Sequence, residues 1–370
     1  MLIDTHTHFY DEWLLPDAEE AISRALSAGV SKMIQADVDS TERPAMWAIG
    51  QKHPGVIFQM LGLYPGSVDS NWQEELDQVQ HIASAVRQTS GTLDQVQHQK
   101  ADQVQHIASA DRQALETLDQ VQHQKADQVL HIASADRQAL ETLDQVQHQK
   151  ADQAQHITSA DRQTSGTLDQ VQHPNQPQTA NHPQTTTHPK TAKTDFINMP
   201  ERFVAIGEIG LDYHEGKEFA KEQKEVLRLQ FELAAKMNLP VNIHLRDAWE
   251  DFFAVLEDCR HLHLRGNLHC FTASYEIYER ANKWADFSVG IGGVVTFKNS
   301  NLAKTLERIP MEKILLETDA PYLAPVPWRG KRNESAYLPI IAEKVAQIKG
   351  LSIDETADIT TRNAEILFGI

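Results

Sequence analysis

Cysteine is nearly absent: Cys259 and Cys270 are the only two in 370 residues, which excludes a disulfide framework and fits a reducing compartment. Long apolar runs are missing too. None approaches the roughly 18–20 residues that a membrane-spanning helix needs, so no membrane role is expected. Met1-Leu2-Ile3-Asp4 lacks the basic and apolar stretches of a signal peptide, and a cytoplasmic location follows as the expectation. Basic residues are outnumbered, 34 Lys+Arg against 52 Asp+Glu, for a net charge of −18. Such a chain is not expected to coat nucleic acid through a broad basic face. No glycine-rich dinucleotide loop follows the first strand-like run, which argues against an open dinucleotide-binding sheet.

What is present includes a repeat. Asp77, Asp102, Asp127 and Asp152 open four units with a period of 25 residues, kept in register by Arg87, Arg112, Arg137 and Arg162. Seven turns of helix take about 25 residues, so each copy would present one face. Leu93, Val96, Val104, Ile107, Leu115 and Leu118 make only a thin apolar stripe on an otherwise polar segment. The reading is a solvated helical or disordered excursion over 77–173, with tandem duplication as its origin. A Pro/Thr-rich linker over 174–194 follows it, holding Pro174, Pro177, Pro183 and Pro189. The eight repeat histidines read as solvated, and any partner of the repeats is unknown. The first copy also serves as the third helix of the host domain, so the start of the insertion overlaps that helix.

Removing 77–194 takes out thirteen acids and nine bases, leaving a remainder that carries −14. About 250 residues are left, the usual size of a (β/α)8 barrel. Residues 1–76 and 195–370 alternate strand-like and amphipathic runs eight times. The strand-like runs are Leu2–His8, Lys32–Val38, Ile57–Pro65, Phe203–Tyr213, Pro240–Arg246, Gly266–Phe271, Asp286–Gly293 and Ile314–Tyr322. The expected fold is an α/β TIM barrel interrupted by the repetitive insertion. Chemistry in such barrels sits at strand C-terminal ends. The insertion is expected to emerge from the opposite face and to take no part in catalysis.

The ionisable residues fall at those ends. Asp4, His6 and His8 lie at period two on the first strand, and Asp4 could accept the distal N–H of one imidazole. Glu208 stands between apolar residues of a buried strand, where an unpaired carboxylate would be costly. His244, His269 and Asp319 occupy the ends of the fifth, sixth and eighth strands, and Glu317 shares the parity of Asp319. Alternation turns Cys270 away from His269 and into core packing. Any one of these could be a satisfied polar core residue, but five strands together make a site. Four histidines and two carboxylates exceed the ligands of one catalytic zinc and suit two divalent ions sharing a bridging carboxylate. Mixed nitrogen and oxygen ligands favour Zn, Mn, Co or Fe over Mg.

The motifs Ile3-Asp4-Thr5-His6-Thr7-His8, Gly207-Glu208-Ile209-Gly210-Leu211-Asp212-Tyr213, His244-Leu245-Arg246, His269-Cys270-Phe271-Thr272-Ala273-Ser274 and Glu317-Thr318-Asp319-Ala320-Pro321-Tyr322 resemble the TatD family. That family comprises metal-dependent hydrolases and DNases in the amidohydrolase group of TIM barrels. The resemblance implies that His6, His8 and Asp319 hold one metal and that Glu208 bridges to a second held by His244 and His269. Glu208 and Asp319 would also serve catalysis, while Asp4 and Glu317 would support the ligands. Family members are described as Mg-dependent, so Mg, Mn and Zn all stay open. Arg246 and Ser274 could contact a phosphate or ester oxyanion. Many relatives carry His-Pro after the third strand where this chain has Tyr64-Pro65, which bears on substrate binding.

The expected function is a divalent-metal-dependent hydrolase, a TatD-type deoxyribonuclease acting on nucleic acid strand ends. The acidic remainder argues for a local, metal-focused grip rather than a broad surface. The alternative is hydrolysis of another ester or amide, such as a D-aminoacyl-tRNA. A third reading is a non-catalytic scaffold whose repeats bind a partner.

Overall fold

Eight short runs rich in Ile, Leu, Val and Met pair as parallel strands that are buried on both faces, as a helix-covered parallel sheet requires. The computed structural model describes residues 1–87, 199–214 and 216–370. All of them belong to one unit, Met1–Asp94 with Lys190–Ile370. The repeat copies from residue 88 onward, the Pro/Thr-rich tract and the later insertion boundary lie outside the described residues.

The strands are β1 (Leu2–Thr7), β2 (Val30–Gln35), β3 (Ile57–Leu61), β4 (Ala205–Asp212), β5 (Val241–Arg246), β6 (Arg265–Leu268), β7 (Asp286–Ile291) and β8 (Ile314–Leu316). They neighbour one another in sequence order. Across the interruption β3 pairs directly with β4, Met60 opposite Ala205 and Leu61 opposite Ile206. Closure comes beyond β8, where Thr7 bridges Ala320, His8 N–H donates to Ala320 O at 2.8 Å and Asp319 N–H donates to His6 O at 2.9 Å. The fold is therefore the expected TIM barrel.

The connecting helices are α1 (Ala18–Ser27), α2 (Arg43–Lys52), α3 (72–87), α4 (Ala220–Met237), α5 (Trp249–Asp258), α6 (Tyr275–Ala281), α7 (Leu302–Arg308), α8 (Leu338–Lys349) and α9 (Ile353–Phe368). Several helix ends have a local cause. α9 opens with a capping box between Ser352 and Glu355, while α8 and α9 end at left-handed Gly350 and Gly369. α3 includes the first eleven residues of the first repeat copy and buries Leu76, Val79, Ile82, Ala83 and Val86 at helical spacing. Trp47, Phe231, Phe252 and Phe287 are fully buried between helices and sheet. Each such side chain contributes about 1.5–3 kcal/mol.

Every strand but β5 stops earlier than the sequence suggests, β3, β6 and β8 most usefully for the site. β6 ends at Leu268 rather than Phe271, and β8 at Leu316 rather than Tyr322. Cys270 and Asp319 take φ of 47° and 58°, a left-handed conformation that cannot continue a strand. β3 ends at Leu61, and Pro65 opens a 3-10 turn a few residues on. Among the described residues no helix is long and apolar enough to cross a membrane.

Candidate metal centre

The early strand ends turn the chain sharply at the mouth of the barrel, and six ionisable side chains meet there. His6 and His8 come from the end of β1, and their Nε2 atoms lie 3.0 Å apart. Glu208, on β4, reaches both sides of the cluster. Its Oε2 is 3.2 Å from His6 Nε2 and 3.7 Å from His8 Nε2. Its Oε1 is 2.9 Å from His244 Nδ1 and 3.0 Å from His269 Nε2. Those two imidazole nitrogens are themselves 3.0 Å apart. Asp319 Oδ1 completes the first side, 3.5 Å from His8 Nε2 and 3.8 Å from His6 Nε2. Each carboxylate oxygen of Glu208 thus faces its own pair of imidazoles.

The outer nitrogens fix which inner atoms carry lone pairs. His6 Nδ1 donates to Asn242 Oδ1 at 2.9 Å. Tyr10 spends its hydroxyl proton on Ala36 O at 2.6 Å, so it accepts from His8 Nδ1 at 2.8 Å. His244 Nε2 lies 2.9 Å from Asp212 Oδ2, and His269 Nδ1 faces Glu317 Oε1 at 3.6 Å. An imidazole whose outer nitrogen holds the proton offers an unprotonated inner nitrogen. Lone pairs 3.0 Å apart repel unless a cation stands between them. His6, His8 and Glu208 form one metal-competent group, His6, His269 and Asp319 a second, and Glu208, His244 and His269 a third.

Without a metal, protons take that part. Burial pushes the Glu208 carboxyl up, but the charges of His269 and His6, with hydrogen bonds from His244 and His269, outweigh it and hold it well below the usual range. Asp319 is likewise lowered: burial opposes ionisation, and His8, His269 and His6 prevail. The imidazoles answer in the opposite sense. Burial disfavours their charge, yet Glu208 and Asp319 raise His8, Asp212 and Glu208 raise His244, and Glu208 and Glu317 raise His269 well above an ordinary histidine.

The remaining sequence candidates are sorted by contact. Glu317 is buried behind His269, accepting from the Cys270 N–H and from Asn267 Nδ2 at 3.3 Å. Asp4 departs from expectation. It accepts no imidazole proton, but binds Thr318 N–H at 2.9 Å, Thr318 Oγ1–H at 2.6 Å and His6 N–H at 3.3 Å. It ties β1 to the loop bearing Asp319, and Asn242 takes the histidine instead. Burial pushes the Asp4 carboxyl up to about 7. Tyr64 donates its hydroxyl to Asp212 Oδ2 at 3.3 Å and sets its ring edge-on to His244, with centroids 5.0 Å apart. Ser274 caps α6, accepting from Ile277 N–H, and Arg246 is exposed at the end of β5. Cys270 is not in the core. It is half-buried on a small cavity shared with His269 and Trp249, because strand alternation has already ended there.

Asp212, Asn242 and Tyr10 carry outer contacts that the sequence reading left unassigned. The signal was available for two of them: Asp212 shares parity with Glu208, and Asn242 with His244. His53, which pairs with Glu19, and His261 stand apart from the centre.

Comparisons with known proteins give the family of the chain. The family model described as TatD related DNase matches residues 3–165 and 172–369. The chain is 46% identical over 171 residues to the uncharacterized metal-dependent hydrolase YabD of Bacillus subtilis, covering 46% of this chain and 67% of that protein. It is 39% identical over 173 residues to the 3′-5′ ssDNA/RNA exonuclease TatD of Escherichia fergusonii, covering 45% of this chain and 66% of that one. The matched stretch thus spans about two thirds of each relative. The crystal structure of YJJV, a TatD homologue from Escherichia coli K12, superposes with a TM-score of 0.64 at 19% identity, covering 100% of this chain and 98% of that one, a likeness of fold. The closed barrel, the convergent imidazoles and carboxylates and the family match lead to one conclusion: this chain belongs to the TatD family of metal-dependent hydrolases.

Proposed function

We propose that the chain hydrolyses phosphodiester bonds at the end of a single-stranded nucleic acid, using two divalent cations. The observation that carries this reading is the division of Glu208 between two imidazole pairs. His6, His8 and Asp319 would hold one cation, His244 and His269 the other, and Glu208 would bridge them. Mixed imidazole and carboxylate donors fit Mn or Zn and admit Mg with retained waters. When bound, such a pair lowers the pKa of a water and neutralises charge on a phosphoryl group.

The chain's own residues supply the rest. Asp319 is ionised and is the less enclosed of the two carboxylates, with 14% of its side chain exposed against 5% for Glu208. It is placed to take the proton of an attacking water. Asn242, Tyr10 and Asp212 hold His6, His8 and His244 in the tautomers that leave their inner nitrogens free. Nucleic acid is favoured as substrate by the exonuclease name of the fergusonii relative. A strand end rather than a duplex face suits a chain of net charge −18.

The test is release of nucleotides from single-stranded DNA by the full chain with Mg, Mn or Zn added, beside aminoacyl-ester and amide substrates. The expected result is metal-dependent release that falls at least about a hundredfold in Glu208→Ala, since even groups behind metal ligands are worth 10–100-fold. Equal release by both proteins would overturn the site. Hydrolysis of the ester or amide substrates alone would overturn the substrate.

A further inference from the structure

We propose that Trp13 and Tyr322 form a stacking ledge for a base of the strand being cleaved, immediately beside the metal centre. The inference rests on the nucleic-acid reading above and adds how the strand is gripped. Ten large apolar side chains are exposed among the described residues, and six of them lie on the two segments that follow β1 and β8: Trp13, Leu15, Tyr322, Leu323, Val326 and Trp328. These same segments carry His8 and Asp319. The Tyr322 ring stands 6.2 Å from the His8 ring and 6.2 Å from the Trp13 ring, centroid to centroid.

The two rings are held in place rather than left loose. Asp11 accepts the Tyr322 hydroxyl proton at 2.6 Å through one oxygen and the Trp13 backbone N–H at 2.8 Å through the other. Arg332 Nη1 donates to the Trp13 carbonyl at 2.8 Å, and Asn333 Nδ2 donates to the Tyr322 carbonyl at 2.6 Å. Both rings keep more than a third of their surface in water, and exposed apolar side chains gathered beside a site mark a binding surface. The occupant must be flat and apolar on its face while presenting an anionic group to the neighbouring cations. A nucleobase carried on its phosphate meets both requirements. The Asp11 carboxylate, bonded to both residues, disfavours a second phosphate, so the grip falls on the base and not on the backbone. Stacking of this kind accepts every base.

The experiment compares single-stranded oligonucleotides that are intact, or abasic on one or the other side of the scissile phosphate, cleaved by the full chain loaded with Mn. Base–aromatic stacking predicts a loss of roughly 5- to 100-fold in kcat/KM when the stacked base is missing. Trp13→Ala should lose the same factor on the intact strand and nothing further on the abasic one. Tyr322→Phe, which keeps the ring, should preserve the discrimination. Melting temperature and metal content equal to those of the parent protein show that Trp13→Ala is folded and loaded. The ledge is overturned if Trp13→Ala retains the parent's discrimination, or if its only effect is on self-association in sedimentation. Failure of the parent protein to cleave any of the strands would instead overturn the nucleic-acid reading itself.

Discussion

His269 is fully enclosed, touches Glu208 at 3.0 Å and has its titration raised well above that of a free imidazole. His8 and His244 are raised for the same reason, the nearby carboxylates. In the metal-free chain these protonated imidazoles stabilise the fold fully below about pH 6.5, the ordinary histidine value. That contribution is lost as pH rises through their higher folded-state values. The lowered carboxyls of Glu208 and Asp319 act at the acid end, losing their contribution only as pH falls through their depressed values. A cation must displace the imidazole protons, so uptake releases protons and weakens as pH falls. The expected outcome is a metal-free melting temperature that declines as pH rises above about 6.5, with the metal-induced increase growing in the same direction. Calorimetry in buffers of different protonation enthalpy should show proton release near pH 6.5 that fades as pH rises. Release independent of pH would contradict the assigned proton positions.

At the scale of the element, the first repeat copy differs from the later ones where it matters for packing. α3 buries Leu76 and Val86, while the residues 25 positions on are Ala101 and Asp111. Val79 and Ile82, by contrast, recur as Val104 and Ile107. Only the first copy therefore carries the full apolar face that the barrel needs at this position. Val86→Asp, which gives the first copy the later copies' residue, places an unpaired carboxylate where only 3% of the side chain meets water. The expected loss is about 3 kcal/mol. For a domain of this size that lowers the melting temperature by roughly 6–12 °C, readable by calorimetry. A change within about 0.5 kcal/mol would mean that α3 contributes little to the barrel.

For the whole molecule, the alternation of apolar runs and amphipathic segments was enough to read eight strands and a closed barrel, because each parallel strand is buried on both faces and stands out in the sequence. The six convergent residues were legible for the related reason that Glu208, His244 and His269 are polar groups in otherwise apolar strands. What alternation could not reach lay beyond the strand ends. Cys270 and Asp319 adopt left-handed backbone, so parity no longer says where a side chain points, and Cys270 ended on a cavity wall instead of in the core. Asp4 was misread because its partner, Thr318, is 314 residues away and comes near only when the barrel closes. Tyr10 escaped notice for a similar reason: its role depends on Ala36 of the neighbouring strand's end.

The claim on which the rest stands is that Glu208 joins two cation sites. Anomalous diffraction from crystals of the full chain soaked in Mn or Zn tests it most directly. Two peaks are expected, roughly 3.5–4 Å apart, one against His6, His8 and Asp319 and the other against His244 and His269, with a Glu208 oxygen on each. A single peak that leaves one imidazole pair bare, or none at the mouth of the barrel, would contradict it.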